Sequence, residues 1–342
     1  MLLGFTLPFV LAQKSQIQDT ISVVYDIPFG KADSWDLIGL GVNSPQILEF
    51  DLYRPGKMKT QESLPFVMII NGGSFLGSSN KRPDVISWCD SLSHHGFITA
   101  AINYRNGFNP LFSGRNIGPK TGMLRAGWRA IQDSRAAIRF FKHHSDFYGI
   151  DTTQMFLIGS SSGGIIALHT AFMDGDEIIP EAEKSGIGKN NSRLGCLDSS
   201  TNFNQIYFQH TCDIKGVISL WGGINDLSYI TTDNPTEVLL IHGEKDQIIP
   251  LENGTVFSLG KQMWFMPQIH GSASIHEYFL KIGKVHDYHV YSGKGHAFHS
   301  DGRISIRQLR RKNFPGKYWA DIYGLGLDFL LKHSEFNSDK KQ

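Results

Sequence analysis

The chain has 342 residues, 41% of them apolar and 19% charged, with a formal net charge of +1. That composition can fill a large core and excludes a disordered chain, and it leaves no charge excess for nucleic acid or an anionic membrane to recognise. The longest basic run, Arg310-Arg311-Lys312, is short enough to read as a solvated helix face.

Residues 1–12 form an apolar run that is too short to span a bilayer but suits the h-region of a signal peptide, with Val10 and Ala12 small where a signal peptidase cuts. No Lys or Arg precedes Lys14, so the positive n-region is incomplete. The expectation is a secretory signal and a secreted or periplasmic protein. The alternative is a first buried strand and a cytoplasmic one. No stretch reads as an integral membrane segment.

From there the chain alternates strands and helices. Strands are predicted at 21–29, 46–53, 65–71, 97–103, 154–159, 216–220, 237–242 and 287–291, and helices at 82–95, 124–148, 162–173, 272–284 and 318–333. The first two strands alternate like antiparallel edge strands. Later runs such as Phe66-Val-Met-Ile-Ile70 are apolar on both faces, as strands inside a parallel sheet must be. The pattern predicts a mostly parallel, eight-stranded sheet with helices on both faces. Residues 13–342 read as a single domain with an insertion at about 174–213. Gly- and Pro-rich 103–122 and aromatic 259–271 read as further loop or lid insertions. Cys196 and Cys212 lie close in sequence, where a disulfide would brace the insertion, whereas Cys89 reads as a small buried apolar residue. Neither the three cysteines nor the pairs His94-His95 and His143-His144 have the spacing of a metal site.

Chemistry concentrates in Gly159-Ser160-Ser161-Ser162-Gly163, a G-x-S-x-G sequence. With 36 glycines in the chain the bare pattern carries little weight. Its context decides: a strand runs into it and a helix leaves it, the arrangement of a nucleophile elbow with Ser161 at the apex. A packing turn is the competing reading of the same glycines. A serine nucleophile needs a base, a carboxylate to orient the base, and N–H donors for an oxyanion, with the order Ser, acid, His in this arrangement. Asp246 follows the apolar strand at 237–242, with Asp226 and Glu244 as alternatives. His296 follows the last strand, with His299 as its rival. Gly73 and Ser74 follow the third predicted strand, where their N–H groups would join that of Ser162 as the oxyanion hole.

Together Asn71-Gly-Gly-Ser-Phe75, Asn103-Tyr-Arg105, Asp133-x-Arg-Ala-Ala-Ile-Arg139, the elbow, His242-Gly-x-x-Asp246 and Gly295-His296 resemble the α/β-hydrolase superfamily. More narrowly, they resemble bacterial carboxylesterases related to hormone-sensitive lipase and to acetyl-xylan and feruloyl esterases. The resemblance implies Ser161 as nucleophile, His296 as base, Asp246 as its orienter, and Gly73, Ser74 and Ser162 as oxyanion donors. It implies no cofactor and no metal, and a small-molecule or polysaccharide-linked ester as substrate. Asn71 and Ser74 depart from the relatives' His and third Gly, and Asp133 and Arg135 look like helix anchors. Phe75, Trp221, Trp264, Phe265 and Met266 are aromatic or soft apolar residues suited to a substrate pocket or to the core. A serine peptidase or amidase of the prolyl-oligopeptidase type, or a non-catalytic binding protein on the same fold, is the alternative function.

Overall fold

The computed structural model describes residues 15–18, 21–35, 43–56, 63–77, 79–108, 118–174, 197–198, 205–258, 265–300 and 315–335. The expected signal segment, Cys196, Trp264, the Arg310-Arg311-Lys312 run and most of the 174–213 insertion lie outside these residues.

The strands are β1 (Ser15–Gln18), β2 (Ile21–Trp35), β3 (Asn43–Pro55), β4 (Leu64–Ile70), β5 (Ile98–Ile102), β6 (Ile150–Ser160), β7 (Gly216–Leu220), β8 (Gly223–Ile224), β9 (Glu237–Gly243), β10 (Asn253–Thr255), β11 (Gln268–Gly271) and β12 (Asp287–Tyr291). The helices are α1 (Pro83–His94), α2 (Pro119–His143), α3 (Ser145–Tyr148), α4 (Ser162–Phe172), α5 (Ser272–Ile282) and α6 (Trp319–His333). Nine strands form one sheet in the order β1-β2-β3-β5-β4-β6-β7-β9-β12. The first three are antiparallel, β3 meets β5 antiparallel, and all pairs from β5 to β12 are parallel.

Each central strand is buried on both faces because residues alternate between two cores. Phe66, Met68 and Ile70 enter a core shared with α2, α4 and α5, while Val67 and Ile69 enter one shared with α1 and α6. That double burial explains the unbroken apolar runs, and the parallel pairing brings the C-terminal ends of β4, β5, β6, β7, β9 and β12 to one edge of the sheet.

The eight expected strands all occur. The sheet has a ninth, β1, and β10, β11 and β8 form a small second sheet. Ser15-Gln-Ile-Gln18 has no apolar alternation long enough to announce a strand; it pairs with β2 as a short hairpin arm. The long expected helix is two: α2 begins earlier, with Pro119 in its first turn after Gly118, and ends at His143 before the single turn of α3.

Candidate active site

Ser161 stands between β6 and α4 with φ 57° and ψ −121°, a strained conformation for a residue with a side chain. Glycines make the turn possible. A Cβ on Gly159 would come 2.1 Å from the carbonyl oxygen of Gly163, and one on Gly163 would come 2.1 Å from that of Ile70. The Ser161 N–H donates to Leu220 O at 2.9 Å, and the Ser161 carbonyl accepts from Ile165 N at 3.0 Å, the first bond of α4. The serine therefore caps a helix whose N-terminal dipole faces the sheet edge.

The structure brings Ser161, His296 and Asp246 together. His296 Nε2 lies 2.7 Å from Ser161 Oγ, and His296 Nδ1 lies 2.7 Å from Asp246 Oδ2. Because an ionised carboxylate only accepts, Nδ1 carries the proton and Nε2 is left to accept from Ser161. Asp246 is anchored beforehand: its Oδ1 accepts from Ile248 N at 2.8 Å and Ile249 N at 3.0 Å. Burial alone would raise its pKa, but the adjacent His296 and His242 outweigh that and hold the carboxyl well below the usual carboxylate range.

The residues weighed against Asp246 and His296 stand elsewhere. Asp226 accepts from Ser228 N and caps a short turn. Glu244 is exposed and ties down the turn after β12, accepting from Ser292 Oγ and Gly293 N; these bonds keep its pKa low. His299 stacks on Trp221, with ring centroids 4.8 Å apart, and has Nε2 3.6 Å from Asp84. Trp221 also meets the His296 ring edge-on. Arg82 donates to Gly72 O and to Asp84, so the start of α1 braces the loop before Ser74.

The expectation for Ser74 requires correction. Its N–H donates to Ser162 Oγ at 3.0 Å and is not open to a ligand. Ser162 Oγ lies 3.2 Å from Tyr104 Oη, which donates to Asn71 O at 3.0 Å. Each hydroxyl has one proton, so the chain runs in one direction, from Ser74 N–H through Ser162 and Tyr104 to the Asn71 carbonyl. Burial pushes the Tyr104 phenol up to about 12 and keeps it protonated for this role. Among the described residues the N–H groups of Gly73 and Ser162 have no such acceptor, and they flank Ser161 on the loop and the helix. Ser74 and Phe75 take left-handed φ values of 55° and 59°, which turn the loop back over the elbow.

Other residues singled out in the sequence are structural. Asp133 on α2 accepts from Arg105 N and pairs with the Arg105 guanidinium at 2.7–3.0 Å, pinning the segment after β5. Arg135 pairs with Asp198 at 2.6 Å, joined by Arg139 at 2.5 Å. Cys89 and Cys212 are buried and make no disulfide among the described residues, and the Cys212 sulfur lies 3.1 Å from Arg139 Nη1. Phe75, Trp221 and Met266 are buried, while Phe265 is exposed. Among the described residues no group of three or more His, Cys, Asp or Glu side chains is arranged to hold a metal ion, and no helix is long and apolar enough to cross a membrane.

This elbow, at the C-terminal edge of a mostly parallel sheet covered on both faces, defines an α/β-hydrolase. Residues 50–230, more than half of the chain, match the BD-FAE family, and the chain belongs to that family of α/β-hydrolase esterases. Carboxylesterase patB of Aspergillus clavatus is 28% identical over 146 residues, covering 41% of this chain and 25% of that protein. Gut esterase 1 of Caenorhabditis elegans is 29% identical over 107 residues, covering 31% of this chain and 18% of its own length. The chain thus aligns with a quarter or less of these curated relatives. Among solved structures, a truncated carbohydrate esterase from gut microbiota superposes with TM-score 0.56 at 18% identity, covering 94% of this chain and 99% of that one. Native esterase 2 of Thermogutta terrifontis superposes with TM-score 0.54 at 15% identity, covering 91% of this chain and 95% of that one. At such identities the likeness is one of fold.

Proposed function

We propose that this protein hydrolyses carboxylic esters through a covalent acyl-serine intermediate. The observation that carries the reading is the unbroken line of two 2.7 Å contacts from Ser161 Oγ through His296 to Asp246. Ser161 Oγ attacks the ester carbonyl carbon as His296 Nε2 takes its proton, and the charged Asp246 stabilises the imidazolium. The oxyanion is received by the N–H groups of Gly73 and Ser162. Collapse of the tetrahedral species expels the alcohol, which takes the proton from His296. A water, deprotonated by the same nitrogen, then attacks the acyl carbon. As the bond to Ser161 Oγ breaks, His296 returns the proton to that oxygen, the carboxylic acid is released and the free serine is regenerated.

Ester-decorated polysaccharide is the proposed natural substrate, with small esters as surrogates. Membership of the BD-FAE family and the likeness to a carbohydrate esterase support it, and export of the protein under the direction of residues 1–12 fits such a substrate. The test compares the wild type with Ser161→Ala on p-nitrophenyl acetate, a longer-chain p-nitrophenyl ester and an aminoacyl anilide. Ester turnover falling by about 10⁴-fold or more in the variant is expected. Hydrolysis of the anilide alone would move the protein to the peptidase–amidase side, and ester turnover unchanged by the substitution would reduce the elbow to a packing turn.

A further inference from the structure

We infer that His242, a residue outside the Ser161–His296–Asp246 line, is a positioning residue that shares Asp246 with His296 and sets how strongly that carboxylate holds the base. The inference rests on the ester-hydrolase reading above.

His242 is the penultimate residue of β9, and it is fully buried behind a strand whose preceding residues, Val238 to Ile241, are all apolar core. An imidazole in such a place is costly unless both nitrogens find partners. Both do. Nδ1 lies 2.8 Å from Ser272 Oγ at the start of α5, and Nε2 lies 3.1 Å from Ile249 O and 3.3 Å from Asp246 Oδ2. A carbonyl and a carboxylate both accept, so Nε2 carries the proton and Nδ1 accepts from Ser272. Asp246 Oδ2 is thereby approached by two N–H groups, from His296 at 2.7 Å and His242 at 3.3 Å. Among the described residues these two histidines are the ionisable side chains that act most strongly on Asp246, and its other oxygen is filled by backbone N–H groups.

The two histidines have different mounts. His296 stands on a loop after β12, whereas His242 is locked by strand, helix and turn. A buried donor on Oδ2 fixes the carboxylate rotamer before His296 arrives. It also draws off part of the charge that would otherwise rest on the His296 proton. Without it, the carboxylate holds that proton more strongly, the imidazolium is favoured, and the neutral base is available only at higher pH. A residue that merely stapled the turn would lower stability and leave the pH profile in place.

The experiment uses two amides of similar size. Gln carries its N–H at the reach of Nε2, while Asn reaches only the position of Nδ1. For H242Q, the acid limb of kcat/KM on p-nitrophenyl acetate is expected to stay within about 0.2 pH unit of wild type. For H242N it is expected to move up by about 0.5 unit or more, with kcat falling about tenfold and KM within about twofold. H242N with the wild-type limb and kcat would overturn the inference. Should H242N fail to fold, S272A loosens the ring by removing only the hydroxyl on Nδ1; a limb displaced upward supports the inference and an unmoved one overturns it. The far-downfield ¹H resonance of the His296–Asp246 hydrogen bond gives a readout free of turnover, expected to shift in H242N and not in H242Q. Ser161→Ala is assayed alongside: activity persisting there sinks the ester-hydrolase reading, while an unmoved limb in H242N beside an inactive S161A sinks only the role of His242.

Discussion

The Ser162 hydroxyl has a task separate from the Ser162 N–H. Its oxygen accepts from Ser74 N–H and its proton goes to Tyr104, so one side chain ties the loop after β4, which carries the proposed oxyanion donor Gly73, to the start of α4. Ser162→Ala keeps the Ser162 N–H but frees Ser74 and slackens the loop. We expect kcat to fall about tenfold with KM changed less than about threefold, as steady-state kinetics would show, because a misaligned donor harms the transition state more than the ground state. Tyr104→Phe leaves the Ser74–Ser162 bond in place and should cost less. A Ser162→Ala enzyme as fast as wild type would mean that the tie has no bearing on turnover. At this scale the residue types and their order were readable in the sequence, which placed Ser161, Asp246 and His296 after the right strands. Hydrogen-bond direction was not readable: Ser74 stands where an open donor was expected, and only the fold shows its N–H turned onto Ser162. His242 was visible within His242-Gly-x-x-Asp246, yet its i,i+4 contact with Asp246 depends on the turn after β9 doubling back.

Among the elements, β6, the elbow and α4 set the tightest constraint. In Gly163→Ala the new methyl would meet the backbone of Ile70 and Asn71, neither of which can swing aside. A loss of about 3 kcal/mol or more is expected in urea unfolding, enough to lower expression of folded protein. Gly127 in the middle of α2 is the contrast: its added Cβ would lie 3.7 Å from Phe75 Cζ, an ordinary contact. Gly127→Ala should stabilise by about 0.5–1 kcal/mol, through helix propensity and a less flexible unfolded chain. Equal effects at the two positions would contradict this account of the turn. The central strands were legible because burial on both faces leaves uninterrupted apolar runs. β1, β10 and β11 were not, since strands of three or four residues carry no period, and the split between α2 and α3 falls inside a continuous helical pattern.

For the molecule as a whole, two buried carboxylates at the sheet edge link stability to pH. Burial would raise the pKa of Asp84, but His299 and Arg82 outweigh it and hold the group well below the usual range; Asp246 is held low in the same way by His296 and His242. A carboxylate whose folded pKa is depressed stabilises the fold above its unfolded pKa, and that stabilisation is lost as pH falls towards the folded value. The urea midpoint of wild type should therefore fall as pH drops below about 4, and fall less steeply in Asp84→Asn. Identical slopes would remove Asp84 from the account. The overall architecture was the most legible level, because alternating strands and helices with ordered motifs admit few topologies. The expected pairing of Cys196 with Cys212 and much of the expected loop insertions fall outside the described residues.

The central claim is that Ser161 is the nucleophile, and paraoxon, an organophosphate that phosphorylates esterase 2 of Thermogutta terrifontis, tests it most directly. Intact-mass and peptide analysis after treatment should find one phosphoryl adduct per chain, on Ser161, with ester turnover lost in proportion and no adduct in Ser161→Ala. An adduct on another residue, or full turnover retained by a chain modified at Ser161, would contradict the account.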